Sequence, residues 1–239
     1  MNEKLPVIDI LTQSWNIFSE RLKIMLGFTF ANFAFLFLGF CITSGFESPF
    51  FLLWAILYYL FWTFFFRFYF NRKPYFHTSS LFNSLIPSTK IVFISICFFL
   101  ILAVLPFIPF FIGMSVSKME TYLDFLQNYM QETKTLDLGL NIILMFISPF
   151  IIYRPFMAWI ASVLGRSGAI KTAYNKTKNN YWQFVFLSLV MSLPYMILSQ
   201  IDFIYDINNC IIWLVSSPFI IYFNIVICKV YEYFNPQTA

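Results

Sequence analysis

One ionisable residue, Arg154, stands well inside a long apolar stretch of this chain, about 16 Å from the stretch's inner end counted from Gly165 at 1.5 Å per residue. An arginine near the centre of a bilayer costs at least about 2.5–3.5 kcal/mol to insert, so its surroundings must compensate. Two arrangements would do so. Arg154 could face a polar cavity or groove that receives an anionic headgroup or solute. Alternatively, it could satisfy backbone carbonyls at the break made by Pro155, which lacks an N–H and frees the carbonyl of Ile151. Lys171, Lys176 and Lys178 follow in the next connector and, with Arg154, form the candidate contact set for an anionic lipid or substrate. Pro149, Pro155 and Pro218 are the candidate helix breaks, with Pro194, Pro106 and Pro109 in other apolar stretches. Broken helices line transporter sites, although bent packing accounts for most single prolines. Asn32, Asn141, Gln200 and Asn224 are read as hydrogen-bonding glue between helices.

Catalytic chemistry finds little to work with. The single histidine, His77, lies in a connector among aromatic residues, and no HExxH, GxSxG or Ser/His/Asp pattern occurs. No apolar stretch carries a pair of carboxylates for proton relay, and no Gly-rich loop cradles a phosphate. Cys41, Cys97, Cys210 and Cys228 lack metal or CxxC spacing. Cys97 and Cys228 read as packing residues, while Cys41 and Cys210 fall near the same outer face. No catalytic residue, metal or cofactor is assigned.

The elements that must position these groups are six apolar stretches, roughly 24–42, 49–66, 91–112, 140–165, 184–200 and 210–228. Each approaches the ~17–25 residues needed to cross the hydrocarbon core. Twelve of the 15 Lys and Arg residues fall in the N-terminal segment, the second and fourth connectors, and just after the last stretch. Lys118 and Lys134 alone lie on the other side. By the positive-inside rule both termini are cytoplasmic. At 60% hydrophobic and 11% charged, the chain has no material for a soluble domain's polar shell. Residues 1–239 therefore read as one integral membrane domain. The net charge of +4 sits beside stretch ends, where anionic headgroups attract it, so nucleic acid is not an expected partner. No cleavable signal peptide is expected, because the first ~20 residues carry polar groups throughout.

Three amphipathic segments precede the odd-numbered stretches. In residues 7–22, Val7, Ile8, Leu11, Trp15, Phe18 and Leu22 recur at helical spacing opposite Asp9, Thr12, Gln13, Asn16 and Ser19. A shorter one begins at Ser79–Ser80, and the third is residues 168–182. All three should lie along the cytoplasmic interface. In the long outer connector 113–139, Met119, Tyr122, Leu123, Leu126, Tyr129 and Met130 make a further helical stripe. The order of amphipathic helix, span, outer connector and span implies a threefold helix–hairpin repeat with units 7–70, 79–166 and 168–230. Its best support is Ser148-Pro149-Phe150-Ile151-Ile152-Tyr153, which recurs unchanged as Ser217-Pro218-Phe219-Ile220-Ile221-Tyr222.

Ser148 through Tyr153, then Gly168-Ala169-Ile170-Lys171-Thr172-Ala173-Tyr174 and Asn180-Tyr181-Trp182, make a pattern similar to one bacterial group. The chain resembles the polytopic inner-membrane proteins related to the membrane domain of glycerophosphodiester phosphodiesterases, together with other six-span families. The soluble phosphodiesterase domain has no counterpart here, so its catalytic residues and metal do not carry over. The resemblance implies a multi-pass bacterial inner-membrane protein without its own catalysis.

The expected fold is thus all-α, a six-transmembrane-helix bundle with both termini in the cytoplasm and interfacial amphipathic helices on the inner face. The expected role is non-enzymatic, either membrane-organising or envelope-associated, through contacts with anionic lipid and partner membrane subunits. The alternative is a permease or transporter subunit for an anionic or lipid solute, with Arg154 on the path.

Overall fold

Among the described residues the apolar stretches fold as helices, since nothing within them competes for the backbone. The computed structural model describes residues 4–42, 50–73, 146, 153–166, 173–175, 177–199 and 209–236. Among these residues helix is the only regular structure, with no strand. The elements are α1 (Val7–Glu20), α2 (Leu22–Ile42), α3 (Phe50–Tyr69), α4 (Arg154–Val163), a 3-10 turn (Lys178–Asn180), α5 (Tyr181–Ser199) and α6 (Asn209–Phe234). By length and composition, α2 and α6 can each cross a bilayer, and α3 contains a shorter apolar helix. The stretch 91–112, the connector 113–139, the segment at 79–86 and the residues Pro149, His77, Cys97, Lys171 and Lys176 lie outside the described residues.

Arg21 is the joint between α1 and α2. Its N–H donates to the Ile17 carbonyl at 3.2 Å, while its own carbonyl accepts from Ile24 and Met25 at 2.9 Å. The same atoms close one helix and start the next, which lets the chain change direction without orphaned backbone groups. At three described positions the helices accommodate proline. Pro155 falls in the first turn of α4, where a missing N–H costs least. Pro194 and Pro218 lie inside α5 and α6, and both helices run on past them.

α6 is the centre of the packing, touching α1, α2, α3 and α4. Ile221, Ile225, Val226, Ile227 and Val230 on it are fully sealed. Against α2, α3 presents an aromatic wall in which the Phe28 ring sits 5.0 Å from Phe65, edge to face, and 5.4 Å from Phe68. Gly39 exists for a close approach, since a Cβ there would stand 2.6 Å from the Trp54 indole. That indole donates its N–H to the Phe35 carbonyl at 2.8 Å, so α3 locks onto α2 at this point.

α1 is the expected amphipathic helix, but it is divided into three sectors rather than two. Val7, Ile10, Ser14 and Phe18 are buried, which is the face packed on α6. Ile8 and Trp15 are 71% and 59% exposed, and Leu22, which opens α2, is exposed as well. Asp9, Thr12, Gln13, Asn16 and Ser19 form the polar remainder, also exposed. The single apolar stripe read from the sequence therefore splits. Packing against α6 claims the side centred on Ser14, and the apolar residues to one side of it stay uncovered.

Candidate functional site

Arg154 opens α4 and is 8% exposed. Its Nε donates to Thr177 Oγ1 at 2.9 Å, and its guanidinium carbon lies 4.5 Å from the centroid of the Tyr174 ring, a cation–π distance. Thr177 in turn donates to the Ala173 carbonyl at 2.8 Å, so its lone pairs face the arginine. Part of the compensation for this charge thus comes from the third amphipathic segment; Ile151, whose carbonyl Pro155 frees, lies outside the described residues. Of its proposed partners, Lys178 is exposed one residue beyond Thr177, in the 3-10 turn. The fold brings Arg154 and Lys178 to one short segment.

The last residues of the two hexapeptide copies meet different surroundings. Tyr222 of the second copy donates to the Leu11 carbonyl at 3.1 Å. Its ring sits edge-on to Trp15 and Phe18, with centroids at 6.1 and 6.3 Å. Tyr153 of the first copy is sealed, 5.0 Å from the Phe184 ring and 6.1 Å from Phe223. Its chain neighbour Arg154 makes the contacts to Thr177 and Tyr174. The first and third amphipathic segments are themselves joined, because the Leu5 N–H donates to Asn180 Oδ1 at 2.7 Å. Tyr233 adds a bond from its hydroxyl to the Lys4 carbonyl at 3.1 Å.

Asn32 does what the sequence assigned to it. Tyr58 OH donates to Asn32 Oδ1 at 3.0 Å, and Asn32 Nδ2 donates to Ser217 Oγ at 3.1 Å. Ser217 passes its own proton to the Trp213 carbonyl at 2.7 Å. One side chain from each of α2, α3 and α6 closes this chain in a sealed interior. Asn224 behaves differently, donating to the Ile220 carbonyl of its own helix at 2.8 Å. Cys41 is an exposed free thiol, and Cys228 is buried.

Arg67, which the sequence groups with the basic residues at the edge of the second connector, also makes a contact that this grouping did not announce. It lies within α3, is 7% exposed, and donates from Nη1 to the Val163 carbonyl at the end of α4, 3.2 Å away. The signal was position: Arg67 lies within the last turn of α3, so its side chain is still committed to a helix face. Among the described residues no group of three or more His, Cys, Asp or Glu side chains could hold a metal. No protein-family model matches the chain, and no characterised protein or solved structure matches it.

Proposed function

We propose that this chain is a non-enzymatic, multi-pass protein of the bacterial inner membrane that organises its surroundings through lipid and partner-helix contacts. In this reading it has six spans, cytoplasmic termini and three repeated helix–hairpin units. The observation that carries the proposal is the outward apolar surface. Phe30, Phe37 and Leu38 on α2, Leu53, Ile56 and Leu57 on α3, Phe186, Leu189 and Leu193 on α5, and Leu214 and Phe219 on α6 are all exposed. Leaving such side chains in water forgoes about 1.5–3 kcal/mol each when burial is complete, and a surface of this extent belongs against hydrocarbon or protein.

Two features agree with a lipid surround. At the end where α1 meets α2 and the 3-10 turn meets α5, Trp15, Tyr174 and Trp182 are exposed, Trp182 by 68%. Amphipathic aromatic rings of this kind settle at headgroup level. The three sectors of α1 match a helix lying where protein, acyl chains and water meet. The repeat draws support from the identity of the two hexapeptides, Ser148–Tyr153 and Ser217–Tyr222, at equivalent places in the sequence. Engagement of Arg154 by Thr177 and Tyr174 favours an organising role, because it gives that charge a fixed structural duty.

Topology and insertion can be tested together. A variant with Cys41 as the sole cysteine should resist carbonate extraction and should react with a membrane-impermeant maleimide in intact spheroplasts. Extraction at alkaline pH, or labelling only after lysis, would refute the arrangement. Uptake of an anionic solute into proteoliposomes, abolished by Arg154→Gln, would instead replace the organising role with transport.

A further inference from the structure

α3 and α4 end in the same way, and their ends meet. Asn71 and Gly165 each adopt a left-handed conformation, with φ of 50° and 79°. An arginine N–H then reaches five residues back in each case: Arg72 to the Arg67 carbonyl at 2.8 Å, and Arg166 to the Ala161 carbonyl at 2.9 Å. This is the double bond pattern of a Schellman cap, completed by Asn71 to Phe68 at 3.0 Å and Gly165 to Ser162 at 2.9 Å. The caps place two arginines at equivalent points just past neighbouring helices, and the Arg67 bond to Val163 joins those helices beneath them.

The end of α6 completes the cluster. Arg166 Nη1 donates to Asn235 Oδ1 at 3.2 Å, and the guanidinium carbon is 5.9 Å from the centroid of the Tyr231 ring. Arg72 lies within electrostatic reach of the same tyrosine. Tyr231 is 2% exposed; its hydroxyl lies within reach of the Arg166 guanidinium, which can only donate, and it finds no acceptor among the described residues. Glu232, the described carboxylate next to it in sequence, is paired with Lys229. Helix C-termini attract cations, which accounts for each arginine singly. It does not account for a sealed hydroxyl beside two of them with no acceptor. A phosphate supplies what is missing, since its oxygens accept from guanidinium forks and from a phenol at once.

We propose that Arg72 and Arg166, backed by Arg67 and the Tyr231 hydroxyl, form a binding site for a phosphate group. The phosphate belongs to an anionic lipid headgroup or to a soluble phosphate compound. The lipid source rests on the membrane reading above; the site itself does not.

The test uses the full chain in an uncharged detergent. Retention of dioctanoyl-phosphatidylglycerol is read by native mass spectrometry, and inorganic phosphate binding by its effect on Tm. Replacing Arg72 and Arg166 together by Gln should weaken binding by about tenfold or more, the size expected for charge-assisted hydrogen bonds. Arg166→Lys keeps the charge without the fork and should fall between. Arg72→Gln, at an exposed position, provides a variant that folds regardless. Variant-dependent retention of the lipid supports a headgroup site, and the same dependence for inorganic phosphate alone supports a soluble ligand. No binding by the wild type, or equal binding by wild type and double variant, overturns the site. Flotation with phosphatidylcholine vesicles separates the two proposals. It persists if only the phosphate site is wrong and vanishes if the membrane reading is wrong.

Discussion

Replacing Asn32 by Leu tests whether buried polar bonds hold α2, α3 and α6 together. Asn32 and Ser217 are fully sealed, and Asn32 makes one bond to each neighbouring helix, to Tyr58 and to Ser217. Interhelical hydrogen bonds in bilayer proteins average about 0.6 kcal/mol and reach about 1.7, so two are worth about 1–2 kcal/mol. The substitution also strands the Tyr58 hydroxyl, which adds a desolvation cost of up to about 1–3 kcal/mol if no water reaches it. Leu is close to Asn in length, so little of the effect should come from a cavity. The expected destabilisation is therefore about 1.5–3 kcal/mol. Ser217→Ala should cost less, because that hydroxyl's own proton already goes to the Trp213 carbonyl within α6. Unfolding by sodium dodecyl sulfate in mixed micelles, followed by tryptophan fluorescence, gives the free energies. A double-mutant cycle between Asn32→Leu and Tyr58→Phe should return about 0.6 kcal/mol of coupling. The all-apolar triple variant, with Ser217→Ala added, should be more stable than Asn32→Leu alone, since it leaves no stranded partner. Zero coupling, together with a wild-type stability for Asn32→Leu, would refute the argument.

Gly39→Ala should cost about 1–3 kcal/mol by overpacking, because the new Cβ would meet the Trp54 indole at 2.6 Å and push it off the Phe35 carbonyl; adding Trp54→Phe should recover part of the loss in the same unfolding assay. Gly165→Ala should cost about 1–2 kcal/mol through backbone strain alone, since φ is +79° there and nothing lies within 4 Å of the added carbon; a loss absent from thermal unfolding would remove the Schellman cap from the account. Arg154→Gln should raise hydrogen exchange in the 173–180 segment while leaving the α3 and α6 core protected, because its contacts to Thr177 and Tyr174 are local. Tyr222→Phe should do the same for α1, by releasing the Leu11 carbonyl.

Much of the helical framework was legible because hydrophobic runs and their stops are local properties. The stretches read as 24–42, 184–200 and 210–228 appear as α2, α5 and α6 with ends shifted by one to several residues. The amphipathic segment read as 7–22 contains α1, Val7–Glu20, but its buried side was not foreseen. Periodicity locates an apolar face and cannot say how much of it a neighbour will take. Arg154 was legible as an oddity, a charge in an apolar run, yet the sequence offered no means of foreseeing that Thr177 would accept a hydrogen bond from it. Arg67 was hidden for a related reason. A basic residue near a helix end looks like a topology signal whether it points to water or into a neighbour.

Composition and pattern alone determined an all-helical chain among the described residues, with helices apolar enough for a bilayer, an amphipathic N-terminal helix, and a hexapeptide used twice. Tertiary structure decided which polar groups meet: Asn32 with Ser217 and Tyr58, Tyr222 with the Leu11 carbonyl, Arg154 with Thr177, and Arg166 with Asn235 beside Tyr231. These pairs join residues from 23 to 211 positions apart. Backbone propensity and hydrophobic period act over a few residues, whereas such contacts depend on how whole helices rotate and slide against one another.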